Sequence, residues 1–115
     1  MTMEKKPRPK ELPSVTHKII TGCGNLYVTI TTIDDKPFEV FAVLGKTGGC
    51  AMAQCEALTR SISLGLRFGI PATEYLGHLK GIRCASTTIT DGKQVLSCPD
   101  AIGKVMEMFL ERNRE

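Results

Sequence analysis

Five cysteines in 115 residues are the side chains best able to do chemistry. Cys23 stands in a Gly-Cys-Gly run, Cys50 follows Gly48-Gly49, Cys84 follows Arg83, and Cys98 precedes Pro99. Each of these four falls at an expected turn or helix end, where the backbone can bring distant side chains together. Cys50 and Cys98 open expected helices, whose free N–H groups and dipole favour thiolate over thiol. Arg83 gives Cys84 a positive neighbour. Thiolate is the form that binds metal or attacks electrophiles. Four of them, Cys23, Cys50, Cys84 and Cys98, suit a tetrahedral zinc or an iron–sulfur cluster. The intervening segments are 26, 33 and 13 residues, with no CxxC knuckle. Spacing therefore leaves three readings open: a shared metal site, small buried side chains beside glycines, or two disulfides in one of three pairings. Cys55 lies on the apolar stripe of the first helix and reads as a small core side chain. In CAMAQC, Cys50 and Cys55 sit about 140° apart around that helix, which argues against a redox pair.

Other motifs carry less. Gly45-Lys46-Thr47 ends like a P-loop, but position 40, where that motif needs glycine, is valine. Gly22-x-Gly24 has Tyr27 where a third glycine belongs. The loop from Gly45 to Gly49 could still offer helix N–H groups to a phosphate, which would make the chain a nucleotide binder. His17 and His78 lie in an expected strand and helix and read as structural or surface residues. No catalytic residue is assigned.

The elements that must position the cysteines emerge from periodicity. Val15, His17 and Ile19 alternate with polar neighbours, and residues 26–33, LYVTITTI, form a β-branched alternating strand. After an Asp34-Asp35-Lys36-Pro37 turn, residues 38–45 give a third strand, so the start is an antiparallel meander. A helix opens at Cys50 with the stripe Met52, Cys55, Leu58, Ile62 and Leu66, leaving Ser63 off it, and Gly69 stops it. Pro71 begins a shorter helix with Tyr75, Leu76, Leu79 and Ile82 inward. A short hairpin turns at Asp91-Gly92, and Ser97-Cys98-Pro99-Asp100 starts a last helix, Pro99 in its first turn and Asp100 complementing its dipole. Ala101, Ile102, Val105, Met106 and Phe109 form its inner face. The fold class is α+β: an antiparallel sheet, a three-strand meander plus a short hairpin, with three helices on one face.

Composition is ordinary for a folded chain: 42% hydrophobic, 23% charged, no Trp. Residues 1–13 read as a disordered basic leader, with Lys5, Lys6, Arg8 and Lys10 against Glu4 and Glu11. Residues 14–115 read as one domain, whose near-neutral balance implies no nucleic-acid face. No apolar stretch nears the roughly 18 residues of a membrane span, and no apolar block follows the leader's charges. The expectation is a cytoplasmic protein with reduced thiols. Open edges of a small meander point to a homodimer.

The runs GCGNLYVTI (22–30), PFEVFAVLGKTGGC (37–50), AQCEALTRSISLGLRFGIP (53–71), LKGIRC (79–84) and SCPDAIGKV (97–105) resemble the TSCPD domain family, small proteins similar to a C-terminal region of adenosylcobalamin-dependent (class II) ribonucleotide reductases. Leu96 stands where the name-giving motif has Thr. The resemblance implies cysteines at Cys23, Cys50, Cys84 and Cys98, and not at Cys55. It also implies a partner, a ribonucleotide reductase or related nucleotide enzyme. Radical chemistry and adenosylcobalamin belong to the larger relatives, because 115 residues cannot supply the barrel and cofactor pocket. The expected role is a non-catalytic metal-bearing accessory module. The alternative is a thiol redox or catalytic component of ribonucleoside-diphosphate reductase.

Overall fold

The computed structural model describes residues 4–45 and 49–113. The chain runs β1 (Ser14–Thr21), β2 (Gly24–Ile33), β3 (Lys36–Leu44), α1 (Gly49–Arg67), α2 (Thr73–Leu79), β4 (Thr88–Thr90), β5 (Lys93–Val95) and α3 (Cys98–Arg112). The expected order and the α+β class are what the structure shows. The first three strands form an antiparallel sheet in sequence order, and β4 and β5 form a separate hairpin. Two-residue turns fix the register. Ile33 pairs with Lys36 across Asp34-Asp35, both at positive φ, the geometry whose twist suits adjacent strands.

Alternation sends one face of the sheet inward. Ile19, Leu26 and Leu44 share a cross-strand row, as do Ile30 and Val40, and all five are buried. α1 packs along β3, α3 crosses β1 and β2, and α2 rests on α3. Ala101, Ile102, Val105, Met106 and Phe109 are all buried, as the helical spacing predicts. Two details differ. Ser63, expected off the stripe of α1, is buried because its hydroxyl donates to Val40 O and accepts from Val40 N–H, both at 2.9 Å. Ile82, expected inside α2, lies beyond its end and is 45% exposed. Gly65 of α1 makes room for the Tyr75 side chain of α2: a Cβ there would stand 1.8 Å from the tyrosine hydroxyl.

The basic leader touches the domain. Lys6 N–H donates to Arg67 O at 3.0 Å, and Arg8 Nε donates to the buried Glu39 carboxylate at 3.0 Å. Among the described residues, no helix is long and apolar enough to cross a membrane.

Candidate functional site

Three segments and one helix face meet at the end of the sheet where β1 turns into β2. The turn carries Cys23, whose N–H donates to Thr21 Oγ1 at 3.1 Å, while that hydroxyl donates to Gly24 O at 2.9 Å. Against the turn runs the segment holding Cys84. The two touch so closely that a Cβ at Gly22 would lie 1.8 Å from Ser86 O. Only glycine fits, so the approach of Cys84 to Cys23 is written into Gly22.

The start of α3 holds the same segment from the other side. Ser97 caps the helix, accepting from Asp100 N–H at 3.1 Å and donating to Ile82 O at 2.6 Å. Asp100, 1% exposed, accepts from Gly81 N–H at 2.8 Å, Leu96 N–H at 2.9 Å and Lys104 Nζ at 2.7 Å. Lys104 also donates to Gln94 O. Cys84 N–H donates to Leu96 O at 3.0 Å. The Ser-Cys-Pro-Asp run is thus a clip: its serine and aspartate fasten residues 81–84 beside the cysteine between them. Sequence reading gave Asp100 a dipole role only. The further signal was an acid three residues after an N-cap serine, a position that can reach back to free N–H groups.

Between these segments and α1 lies a cleft of about 410 Å³. Cys23, Cys55, Cys84 and Cys98 line it, with Ala51, Gln54 and Leu58 from α1, the cap residue Ser97, and Pro99 from α3. Among these side chains only a thiol can carry charge. Cys55 and Cys98 are buried, and Cys23 and Cys84 are exposed at the mouth. Ser86 N–H donates to Cys84 Sγ at 3.3 Å. All five cysteines are free thiols.

The sulfurs sense one another. Cys98 is lowered to about 6, chiefly because the neighbouring Cys55 thiol stabilises its thiolate, with Thr21 and Cys23 helping against the opposing effect of burial. Cys55 is pushed up by that same interaction and by burial, so it holds its proton. Cys23 is raised by burial and by the charge on Cys98 and Cys84. Asp100 is held below the usual carboxylate range, because its backbone and lysine donors outweigh its burial.

Of the four cysteines expected at a shared site, the structure brings Cys23, Cys84 and Cys98 to the cleft. Cys50, in the first turn of α1, is exposed and does not line it. Cys55, assigned to the core from its stripe position, is buried and also lines the cleft. Among the described residues, no three His, Cys, Asp or Glu side chains stand close enough to hold a metal ion as they are placed. The donor set itself, all sulfur in a cleft with no other ionisable side chain among the described residues, fits a thiophilic metal. The Gly45–Gly49 loop, considered for phosphate, includes residues 46–48, which lie outside the described residues.

Comparison with known proteins adds a family. The model of the TSCPD domain matches residues 2–110. The chain is similar to proteins called vitamin B12-dependent ribonucleotide reductase from Streptantibioticus cattleyicolor, Streptomyces clavuligerus and Streptomyces coelicolor, each 28% identical over 92 residues. The match covers 79% of this chain but 15% of the first relative and 10% of the other two. The chain therefore spans a small fraction of the length of the curated relatives it matches. No solved structure matches it.

Proposed function

The chain belongs to the TSCPD domain family, and we propose that it is a small non-catalytic metal-binding module in which Cys23, Cys84 and Cys98 are three of four thiolate ligands to one zinc ion or an iron–sulfur cluster. The observation that carries this is the meeting of cysteines from distant parts of the chain in a cleft that, among the described residues, has no other ionisable side chain. Bound there, either group would supply a cross-link between the β1–β2 turn, the segment at residue 84 and the start of α3. Such a cross-link contributes on the order of 10 kcal/mol of apparent folding energy in small metal domains. The surface around it docks on a ribonucleotide reductase or related nucleotide enzyme, in keeping with the relatives' names. No cobalamin is assigned to this chain. Pairing of two copies through the sheet edges belongs to the same proposal and is checked by sedimentation.

Elemental analysis of protein purified without oxygen is the test. About one zinc, or iron with sulfide, per chain is expected; metal-free folded protein with five free thiols overturns the reading. One observation favours a second reading, a thiol redox component of ribonucleoside-diphosphate reductase: Cys98 shares the cleft with Cys23, Cys55 and Cys84, all free thiols. Reversible disulfide formation under mild oxidant, with no metal taken up, selects that reading.

A further inference from the structure

We infer that two copies of this chain pack sheet against sheet through the outer face of the meander. The inference rests on the pairing proposed above and moves its contact from the strand edges to the face. A docking strand needs an unbroken row of free N–H and C=O groups, and both edges are interrupted. On β3, the Ser63 hydroxyl takes both Val40 N–H and Val40 O at 2.9 Å, and Leu44 N–H donates to Met52 Sδ at 3.2 Å. On β1, Ile20 O accepts from Thr90 Oγ1 at 2.9 Å. Helix α1 thus closes one edge, and β4 obstructs the end of the other.

The face opposite the helices is open. Ile20, Tyr27, Phe41 and Val43 alternate with the buried residues of their strands and are 37–55% exposed. Register makes them neighbours: Tyr27 pairs with Lys18 on one side and Val43 on the other, Phe41 with Thr29, and Ile20 with Asn25. Two of the chain's six aromatic rings therefore stand together at the surface, the side chains in which interface centres are enriched. The Thr16 and Thr29 hydroxyls bond each other at 2.8 Å, so covering them orphans neither. The leader ends the patch rather than filling it: Arg8 sits on Glu39, in the next row with Thr31, and both of those are buried. Among the described residues, Lys18 is the one charged side chain on the uncovered rows, and it lies on the edge strand. A twofold axis brings like groups together, and at Tyr27, on the middle strand, it brings no charges together. The patch measures about 14 Å across its strands and about 20 Å along them. Two such faces, with the relief of their side chains, take about 1,000 Å² from water, where specific interfaces begin.

The experiment is sedimentation of the unaltered chain, Val43→Glu and Phe41→Glu, each between about 1 μM and 1 mM, with circular dichroism to check folding. Expected is a reversible dimer of the unaltered chain, and in each variant a dimer Kd raised at least about 100-fold, because the twofold sets two added carboxylates in one apolar contact. Unchanged affinity in both variants overturns the inference and leaves pairing through the edges standing. A chain that stays monomeric throughout sinks the pairing itself, and the face contact with it. If the variants fail to fold, hydroxyl-radical footprinting of the unaltered chain decides. Oxidation of Tyr27 and Phe41 that slows as the dimer forms, with Tyr75 against α1 as the internal reference, supports the inference. Oxidation of both at the monomer's rate, in samples that sediment as dimers, overturns it.

Discussion

Beneath the meander, Leu26, Val28, Ile30, Val40, Ile62, Ile102 and Met106 are buried against one another through apolar surface, whereas at the cysteine end separate segments are joined by directed contacts from a few polar groups. Thr21 shapes the turn of Cys23; Ser97 and Asp100 hold the segment of Cys84; Gly22 sets how near the two come. Burial is non-directional and spread over many residues, so no single core contact fixes where a segment of chain must lie. Hydrogen bonds are few and oriented, so the cysteine end has little redundancy. The two regions therefore differ in kind: many interchangeable apolar contacts hold the first, and a few directed ones hold the second.

The largest expected effect breaks that separation. If a metal ties the cysteine end, then Cys98→Ala, or a chelator on the unaltered chain, removes up to about 10 kcal/mol of apparent stability. Thermal unfolding with and without added zinc measures it. A melting temperature independent of metal would leave the core as the source of stability and the cleft as a reactive site only.

Next in size is Ile102→Ala, in the fully buried face of α3. The lost side chain and the cavity together cost about 2–5 kcal/mol. The comparison is sharpened if denaturant midpoints fall while metal stoichiometry stays unchanged. A loss of metal would show that the two regions unfold as one.

The core was largely legible before the structure, because burial writes itself as periodicity. The alternation of β2 and the spacing of Ala101, Ile102, Val105, Met106 and Phe109 each placed a face correctly. The cysteine end was legible only in its membership. That Cys23, Cys84 and Cys98 come to one cleft could be anticipated because turns and helix starts leave marks in the sequence. Cys55 was assigned to the core, where it is buried; that it also lines the cleft was not legible, because a stripe position says that a side chain is buried, and not what it faces. Ser63 escaped for a related reason: a hydroxyl can be buried wherever a strand's backbone partners it, which helical periodicity does not register. The clip made by Asp100 depends on Gly81 and Leu96, whose approach no local pattern encodes.

Asp100→Asn tests that clip with a smaller expected loss. An amide keeps one acceptor oxygen but points an NH₂ group at the donors now served by the other, at a cost of about 1–3 kcal/mol. The same contact predicts an acid effect. Because the folded state holds the Asp100 carboxyl below its ordinary value of 3.8, its contribution is complete above that value and is lost as pH falls through the lower folded one. The unaltered chain should therefore lose stability on acidification there, and Asp100→Asn should lose less over the same window. Equal acid sensitivity of the two would assign the effect to other carboxylates.

The smallest effect is expected at Arg8, whose Nε–H reaches both oxygens of Glu39, at 3.0 and 3.1 Å. The pair is lopsided: the arginine side chain is 39% exposed and the carboxylate 8%. Solvent at the arginine weakens the attraction, and Thr31 Oγ1 still donates to Glu39 at 3.1 Å when Arg8 is gone. Arg8→Ala should therefore cost no more than about 1 kcal/mol, with the loss shrinking as salt is added. Glu39 belongs to β3 beside the core, and neither residue lines the cysteine cleft. Metal uptake by Arg8→Ala should match that of the unaltered chain. If this exposed pair changed metal affinity, the leader would be coupled to the cleft through the sheet, and the two regions would have to be treated as one cooperative unit.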